Sequence, residues 1–116
     1  MEYTIKEIKF GNNQIMYVPE FSDPSLTVLS EFLSSEVANF KGNILDVIEK
    51  AKNNPEKVEF AGNICLLNIK NGNVRIECVI DDAEIGDPVE IGLDKFEQVV
   101  KSWIRDMEAE HDRNER

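Results

Sequence analysis

The chain has one histidine, His111, and two cysteines, Cys65 and Cys78, among 116 residues. That leaves few groups for nucleophilic or general-base chemistry. His111 stands in the polar C-terminal stretch, where an imidazole is ordinarily solvated. The sequence also lacks a Gly-x-Ser-x-Gly elbow, a phosphate-cradling glycine loop and a dinucleotide fingerprint. No catalytic residue and no cofactor are assigned, and the expectation is a protein that is not an enzyme. No apolar run approaches the ~18 residues that crossing a bilayer requires. Met1-Glu2-Tyr3-Thr4 lacks the basic start and apolar stretch of a secretion signal, so the expected location is the cytoplasm.

Positive charge is scarce as well. Thirteen Lys and Arg stand against 23 Asp and Glu, a net charge of −10. Nucleic acid and anionic membranes are held through Lys and Arg clusters, so both are excluded as expected partners. A basic protein is attracted by the same field. Apolar content is that of an ordinary globular protein, and no linker divides the chain. Residues 1–116 are expected to form one domain, frayed over about 109–116, where polar residues take over.

The patterning predicts an α+β fold: an N-terminal β-hairpin, two helices, an antiparallel β-meander and a C-terminal amphipathic helix packed on the sheet. Tyr3 to Phe10 and Ile15 to Val18 read as strands around Gly11-Asn12-Asn13. Taking Asn12-Asn13 as a two-residue turn sets Phe10 opposite Ile15 and Ile8 opposite Tyr17. Asp23-Pro24 starts a helix, a capping carboxylate followed by a proline whose missing N–H is harmless there. Leu26, Leu29, Phe32, Leu33, Val37 and Phe40 mark its buried face. Lys41-Gly42 interrupts it, Asn43 caps a second helix with Ile44, Val47, Ile48 and Ala51, and Asn53-Asn54-Pro55 stops that one.

Lys57 to Ala61, Ile64 to Lys70 and Val74 to Ile80 form the meander, separated by Gly62-Asn63 and Asn71-Gly72. Two-residue turns at both dipeptides oppose Ile69 to Val74, Leu67 to Ile76, Cys65 to Cys78, Phe60 to Cys65 and Val58 to Leu67. All of these are apolar and share one face. The other face carries Glu59, Asn68, Arg75 and Glu77, together with Ile64, Leu66 and Val79, which the early helices are expected to cover. Cys65 and Cys78 read as two small buried hydrophobes with free thiols. A redox switch or half of a metal site is the alternative. A short strand, Val89 to Ile91, precedes a last helix opened by Asp94 and Glu97 at capping-box spacing, with Phe96, Val99, Val100, Trp103, Ile104 and Met107 as its apolar stripe.

The remaining signal is a one-sided run of charge. Between Arg75 and Lys95 lie Glu77, Asp81, Asp82, Glu84, Asp87, Glu90 and Asp94, with no basic residue among them. A calcium loop fails in both registers. Counting from Asp81 puts Ala83 and Ile85 at ligand positions, and counting from Asp82 puts Asp87 where a glycine belongs. No metal ligand is therefore assigned. Such runs are commonly solvated loops and strand edges. The functional reading is a docking surface of Glu77, Asp81, Asp82, Glu84, Asp87 and Glu90 for the Arg and Lys of a basic partner.

Phe60-Ala61-Gly62-Asn63-Ile64-Cys65, the hairpin after it, and Ile91-Gly92-Leu93-Asp94-Lys95-Phe96 leading to Val99, Val100 and Trp103 resemble the immunity proteins of bacterial polymorphic-toxin and contact-dependent growth inhibition systems. The likeness spans Val58 to Trp103 and is one of strands, turns and an aromatic helix. It implies a cytoplasmic antidote, monomeric, that binds a cognate toxin C-terminal domain one to one, often a nuclease, and blocks its active site or substrate surface. It carries no binding residues over, because such pairs diversify at their interface. The alternative expectation is a non-enzymatic assembly protein that forms a homodimer through a sheet edge or apolar face.

Overall fold

The computed structural model describes residues 2–54, 56–80, 83, 84 and 86–114, and they form the expected α+β fold. Strands β1 (Tyr3–Phe10) and β2 (Gln14–Phe21) make a separate antiparallel hairpin. A 3-10 turn, Pro24–Leu26, leads into α1 (Thr27–Glu31), a π-helical segment, Phe32–Val37, and α2 (Ala38–Asn53). Then come β3 (Val58–Ala61), β4 (Cys65–Lys70), β5 (Asn73–Ile80), the two-residue β6 (Ala83–Glu84), β7 (Val89–Gly92) and α3 (Leu93–Asn114). The main sheet is antiparallel, in the order β3-β4-β5, and both β6 and β7 pair with the far edge of β5.

Every helix lies on the same face of this sheet. Cys65, Leu67, Ile69, Val74, Ile76 and Cys78 point inward from β4 and β5 and are buried with Phe32, Ile44, Ile48, Phe96, Val100 and Trp103. Phe32 and Phe96 meet at 5.7 Å between ring centroids, joining the early helices to α3 above the strands. The hairpin packs on the other side of this helical layer. Tyr3 sits edge-on to Trp103 at 5.5 Å and to Phe21 at 5.7 Å, and Ser30 Oγ donates to the Pro19 carbonyl at 2.6 Å.

The Asn71-Gly72 turn sets the β4–β5 register as expected, with Ile69 opposite Val74, Leu67 opposite Ile76 and Cys65 opposite Cys78. Both turn residues have positive φ, 51° and 76°, which asparagine and glycine adopt readily. The Gly72 carbonyl also accepts the Leu93 N–H at 2.9 Å, tying the start of α3 to this turn.

Two other registers differ from expectation. In the N-terminal hairpin three residues, Gly11, Asn12 and Asn13, separate the paired Phe10 and Gln14, so Ile8 opposes Met16 and Tyr17 opposes Glu7. A slip of one changes which side chains share a face. The contact with Trp103 selects this register, since it places Tyr3 and Phe21 together on the helix side. Between β3 and β4 the shift is two: Val58 opposes Ile69 and Phe60 opposes Leu67. Gly62 N–H donates to the Cys65 carbonyl at 2.9 Å, which centres the turn on Asn63-Ile64. An even shift preserves the faces, so the inward set is unchanged.

The helices break elsewhere too. The non-helical residue is Phe40 (φ −129°, ψ 33°), and α2 runs on through Lys41 and Gly42. The preceding π-helical turns are wide enough to bury Phe32, Leu33, Glu36 and Val37 together. Asp23 Oδ1 caps as expected, accepting from Ser25 N at 2.9 Å, although it heads a 3-10 turn. At α3 the helix begins at Leu93, and the Glu97 carboxylate reaches Lys101 (2.8 Å) and Lys52 (3.2 Å). Lys101 and Lys52 hold Glu97 below the usual carboxylate range, chiefly by hydrogen bonding. It therefore serves as a tie between α2 and α3.

The cysteines require a correction. Cys65 and Cys78 form a disulfide across β4 and β5, and neither is free. Their register position brings the two Cα atoms within 4.0 Å, closer than most strand neighbours. Both remain buried in the core, as expected of two small apolar groups.

Candidate partner-binding face

Because the helices occupy one side of the main sheet, its other side is open. This also corrects the expectation that early helices cover Ile64, Leu66 and Val79. Leu66 stays 38% exposed and Val79 41%, while Ile64, at the β3–β4 turn, is half-buried and packs against the core. Alternation along the strands puts Glu59, Leu66, Asn68, Arg75, Glu77, Val79 and Glu90 on the open side. The same alternation puts Lys70 there, and Lys57 Nζ pairs with Glu59 Oε1 at 2.7 Å, so the result is an apolar patch beside mixed charge.

Arg75 organises part of that charge. It lies directly across the ladder from Glu90 and two residues before Glu77, so all three side chains project from one surface. Its Nε donates to Glu77 Oε1 at 2.9 Å, and its Nη1 lies 3.7 Å from Glu90 Oε2. Asn73 Nδ2 donates to Glu90 Oε1 at 3.0 Å. Two expected docking carboxylates are thus brought together, and each is already paired. Asn68, opposite Arg75, has a buried Oδ1 with no hydrogen-bond partner among the described residues.

The other expected positions are placed less closely. Asp87 is exposed and follows Gly86, whose φ of 73° suits glycine and which packs on Val28 and Thr27 of α1. Glu84 lies on β6 opposite Val79, beside the apolar patch. Asp81 and Asp82 lie outside the described residues. Among the described residues no group of three or more His, Cys, Asp or Glu side chains is placed to hold a metal ion. No described helix is long and apolar enough to cross a membrane.

Sequence reasoning missed the internal counter-charge. The i, i+2 spacing of Arg75 and Glu77 on one strand face was the available signal. The Arg75–Glu90 pair had none, because no short turn fixes the β5–β7 register. Reasoning from the sequence also placed Glu36 merely in a helix, whereas it is fully buried, and its Oε1 accepts the Ile64 N–H at 3.4 Å. No family model, curated protein or solved structure matches the chain.

Proposed function

We propose that this chain is an immunity protein that binds a cognate toxin domain, a basic nuclease, and neutralises it by covering its active site or substrate surface. One toxin domain is bound per chain, in the cytoplasm. The contact surface is the open side of the main sheet and the acidic strand-and-loop border running from Glu77 to Glu90. The observation that carries this reading is a sheet face left bare by every helix, with Leu66 and Val79 exposed toward one end beside Glu77, and Glu59, Asn68, Arg75 and Glu90 in the next row.

That layout combines the two ingredients of a transient interface, exposed apolar side chains and polar ones beside them. In a molecule of net charge −10 it favours a cationic partner twice over. The long-range field speeds encounter, and the rim carboxylates accept bidentate bonds from arginines that would otherwise hold phosphate. A rigid antiparallel sheet behind the rim limits the ordering cost of association.

The test uses the toxin domain encoded beside this chain. Neutralising Glu77, Asp81, Asp82, Glu84, Asp87 and Glu90 to the corresponding amides should slow association at low salt by about tenfold or more. The unmodified pair should associate more slowly as salt rises, because steering is screened over a Debye length of about 8 Å at physiological ionic strength. Unchanged association after neutralisation, or a neighbouring gene whose product is harmless, would rule the reading out.

A further inference from the structure

The N-terminal hairpin has one edge closed and one open. Pro19 of β2 has no N–H, and its carbonyl accepts from Ser30 Oγ of α1 at 2.6 Å, so β2 turns its outer edge to the helices. Ile5 stands opposite Pro19. Ladder bonding alternates along an antiparallel pair, so the backbone N–H and C=O of Ile5, and with them those of Glu7 and Lys9, point away from β2. Among the described residues β1 pairs with β2 alone, and Thr4 through Lys9 are all exposed. The pairing runs from Tyr3 to Phe10 without a bulge, and no proline interrupts these 8 residues. An edge of this length is a template for another strand.

We infer that the added strand is β1 of a second copy of this chain, paired antiparallel about Ile8. Identical strands paired in this way are related by a two-fold axis normal to the sheet. One residue then faces its own copy, and its neighbours on either side exchange partners. Centring on Lys6 or Glu7 sets a charge against the same charge. Centring on Ile5 sets Thr4 against Lys6 and Tyr3 against Glu7, with no ion pair. Centring on Ile8 sets Glu7 against Lys9 of the second copy, and Lys9 against its Glu7. A centre nearer either end pairs too little of the strand to hold. In the Ile8 register both charge pairs fall where the outward backbone groups lie, so each is also a hydrogen-bonded pair. The strand is thus complementary to itself, whereas a foreign strand would have to supply the same alternation.

The faces of the hairpin agree with this register. Ile8 lies opposite Met16 on the side turned away from Trp103, since Tyr3 and Phe21 occupy the other side. The two are 40% and 36% exposed. Pairing about Ile8 lines up Met16, Ile8 and the same two residues of the second copy in one row across the joined sheet. Lysines commonly guard an exposed edge. Here Lys9 gains a carboxylate, and Lys6 falls at the end of the paired stretch, opposite Phe10. The open side of the main sheet takes no part, so the inference stands independently of the toxin reading.

Sedimentation velocity of the full chain, from nanomolar to high micromolar concentration, tests this, and the expected result is a concentration-dependent dimer. Glu7→Lys sets lysine against lysine across the junction, and Lys9→Glu sets glutamate against glutamate. Each alone should weaken the dimer by about tenfold or more. The two substitutions shift net charge in opposite directions, so a loss in both cannot come from overall repulsion. Mixed in equal amounts, the two variants bring only lysines against glutamates, and their heterodimer should recover the original strength within about threefold. Both positions are exposed, and circular dichroism checks that the variants are folded. A monomer at every concentration overturns the inference. So does a dimer indifferent to both substitutions, or a mixture of the two variants that stays monomeric.

Discussion

The carboxylate of Glu36 lies directly against the Cα of Gly62, on the buried side of the β3–β4 turn. A β-carbon built on Gly62 would overlap Glu36 Oε2, and Oε1 of the same carboxylate accepts from Ile64 N–H. Glycine is required here by close approach of a side chain, since its φ is not in the left-handed region. The π-helical segment carries Glu36 inward, and the turn without a side chain makes room for it.

Gly62→Ala should therefore destabilise the protein by about 1–3 kcal/mol, the range for forcing extra volume into a packed site. Glu36→Ala removes the obstacle but leaves Ile64 N–H unpaired, costing about 1–3 kcal/mol by itself. The two changes touch the same contact, so the double variant should lose less than the single losses added together. Urea denaturation of the three variants measures this. Strict additivity would mean that the two residues do not meet.

Tyr3 gives a prediction at alkaline pH. Its hydroxyl donates to Asp106 Oδ2 at 2.5 Å and lies 3.1 Å from Ser102 Oγ. Burial first, and the hydrogen bond to Asp106 second, push its pKa up to about 12, with the Ser102 contact opposing the rise. The folded state thus holds the phenol proton more tightly than the unfolded chain, whose tyrosine titrates at 10.0. The stabilisation is fully present below pH 10 and is lost as pH rises toward 12. Tyr3→Phe should flatten this part of the stability profile while costing about 1 kcal/mol at neutral pH. An unaltered alkaline profile would show that another group is responsible.

What could be read in advance depended on how locally each feature is determined. Asn71-Gly72 admits a two-residue turn, and the β4–β5 pairing followed from it down to Cys65 opposite Cys78. Gly11-Asn12-Asn13 accommodates either a two- or a three-residue loop. The choice is made by Tyr3 and Phe21 packing on Trp103 at the other end of the chain. In β3–β4 the pairing moved but the buried face did not, because side chains alternate with a period of two. Strand patterning marked Leu66 and Val79 as belonging to the second face, but which face the helices cover is a tertiary outcome. The acidic residues were visible as a run and the Arg75–Glu77 pair in their i, i+2 spacing, whereas the pairing of Glu90 with Arg75 required the β5–β7 register.

The Cys65–Cys78 bridge gives a prediction about stability and little about capture. Its sequence separation of 13 closes a short loop in the unfolded chain, which corresponds to about 3 kcal/mol of stabilisation in the chain-entropy model. Reduction by a dithiol should lower the urea midpoint accordingly. The reduced chain should remain folded, since two thiols at these positions are small buried apolar groups surrounded by Leu67, Ile69, Val74 and Ile76. If the chain is the antidote proposed above and acts in the cytoplasm, where thiols are kept reduced, toxin capture should be equal for both forms. Unfolding on reduction would count against the proposed cytoplasmic location, and an unchanged midpoint would show that the bridge adds nothing.

Arg75 holds Glu77 and Glu90 in the position that a partner's guanidinium would otherwise take. On the function proposed above, any arginine arriving from a toxin has to share those carboxylates with it. Arg75→Ala makes the face more negative by one charge and releases Glu77 Oε1 and Glu90 Oε2 for external donors, while Glu90 Oε1 still accepts from Asn73. The loss of stability should be small, within about 1 kcal/mol, because the arginine side chain is 44% exposed and such pairs are well screened. Capture of the basic domain should become faster by a few-fold at low salt, with the gain shrinking as salt is added. Stopped-flow association of the Arg75→Ala chain measures this directly. Slower capture would mean that Arg75 itself touches the partner, or that its carboxylate neighbours must be held in place before the toxin arrives.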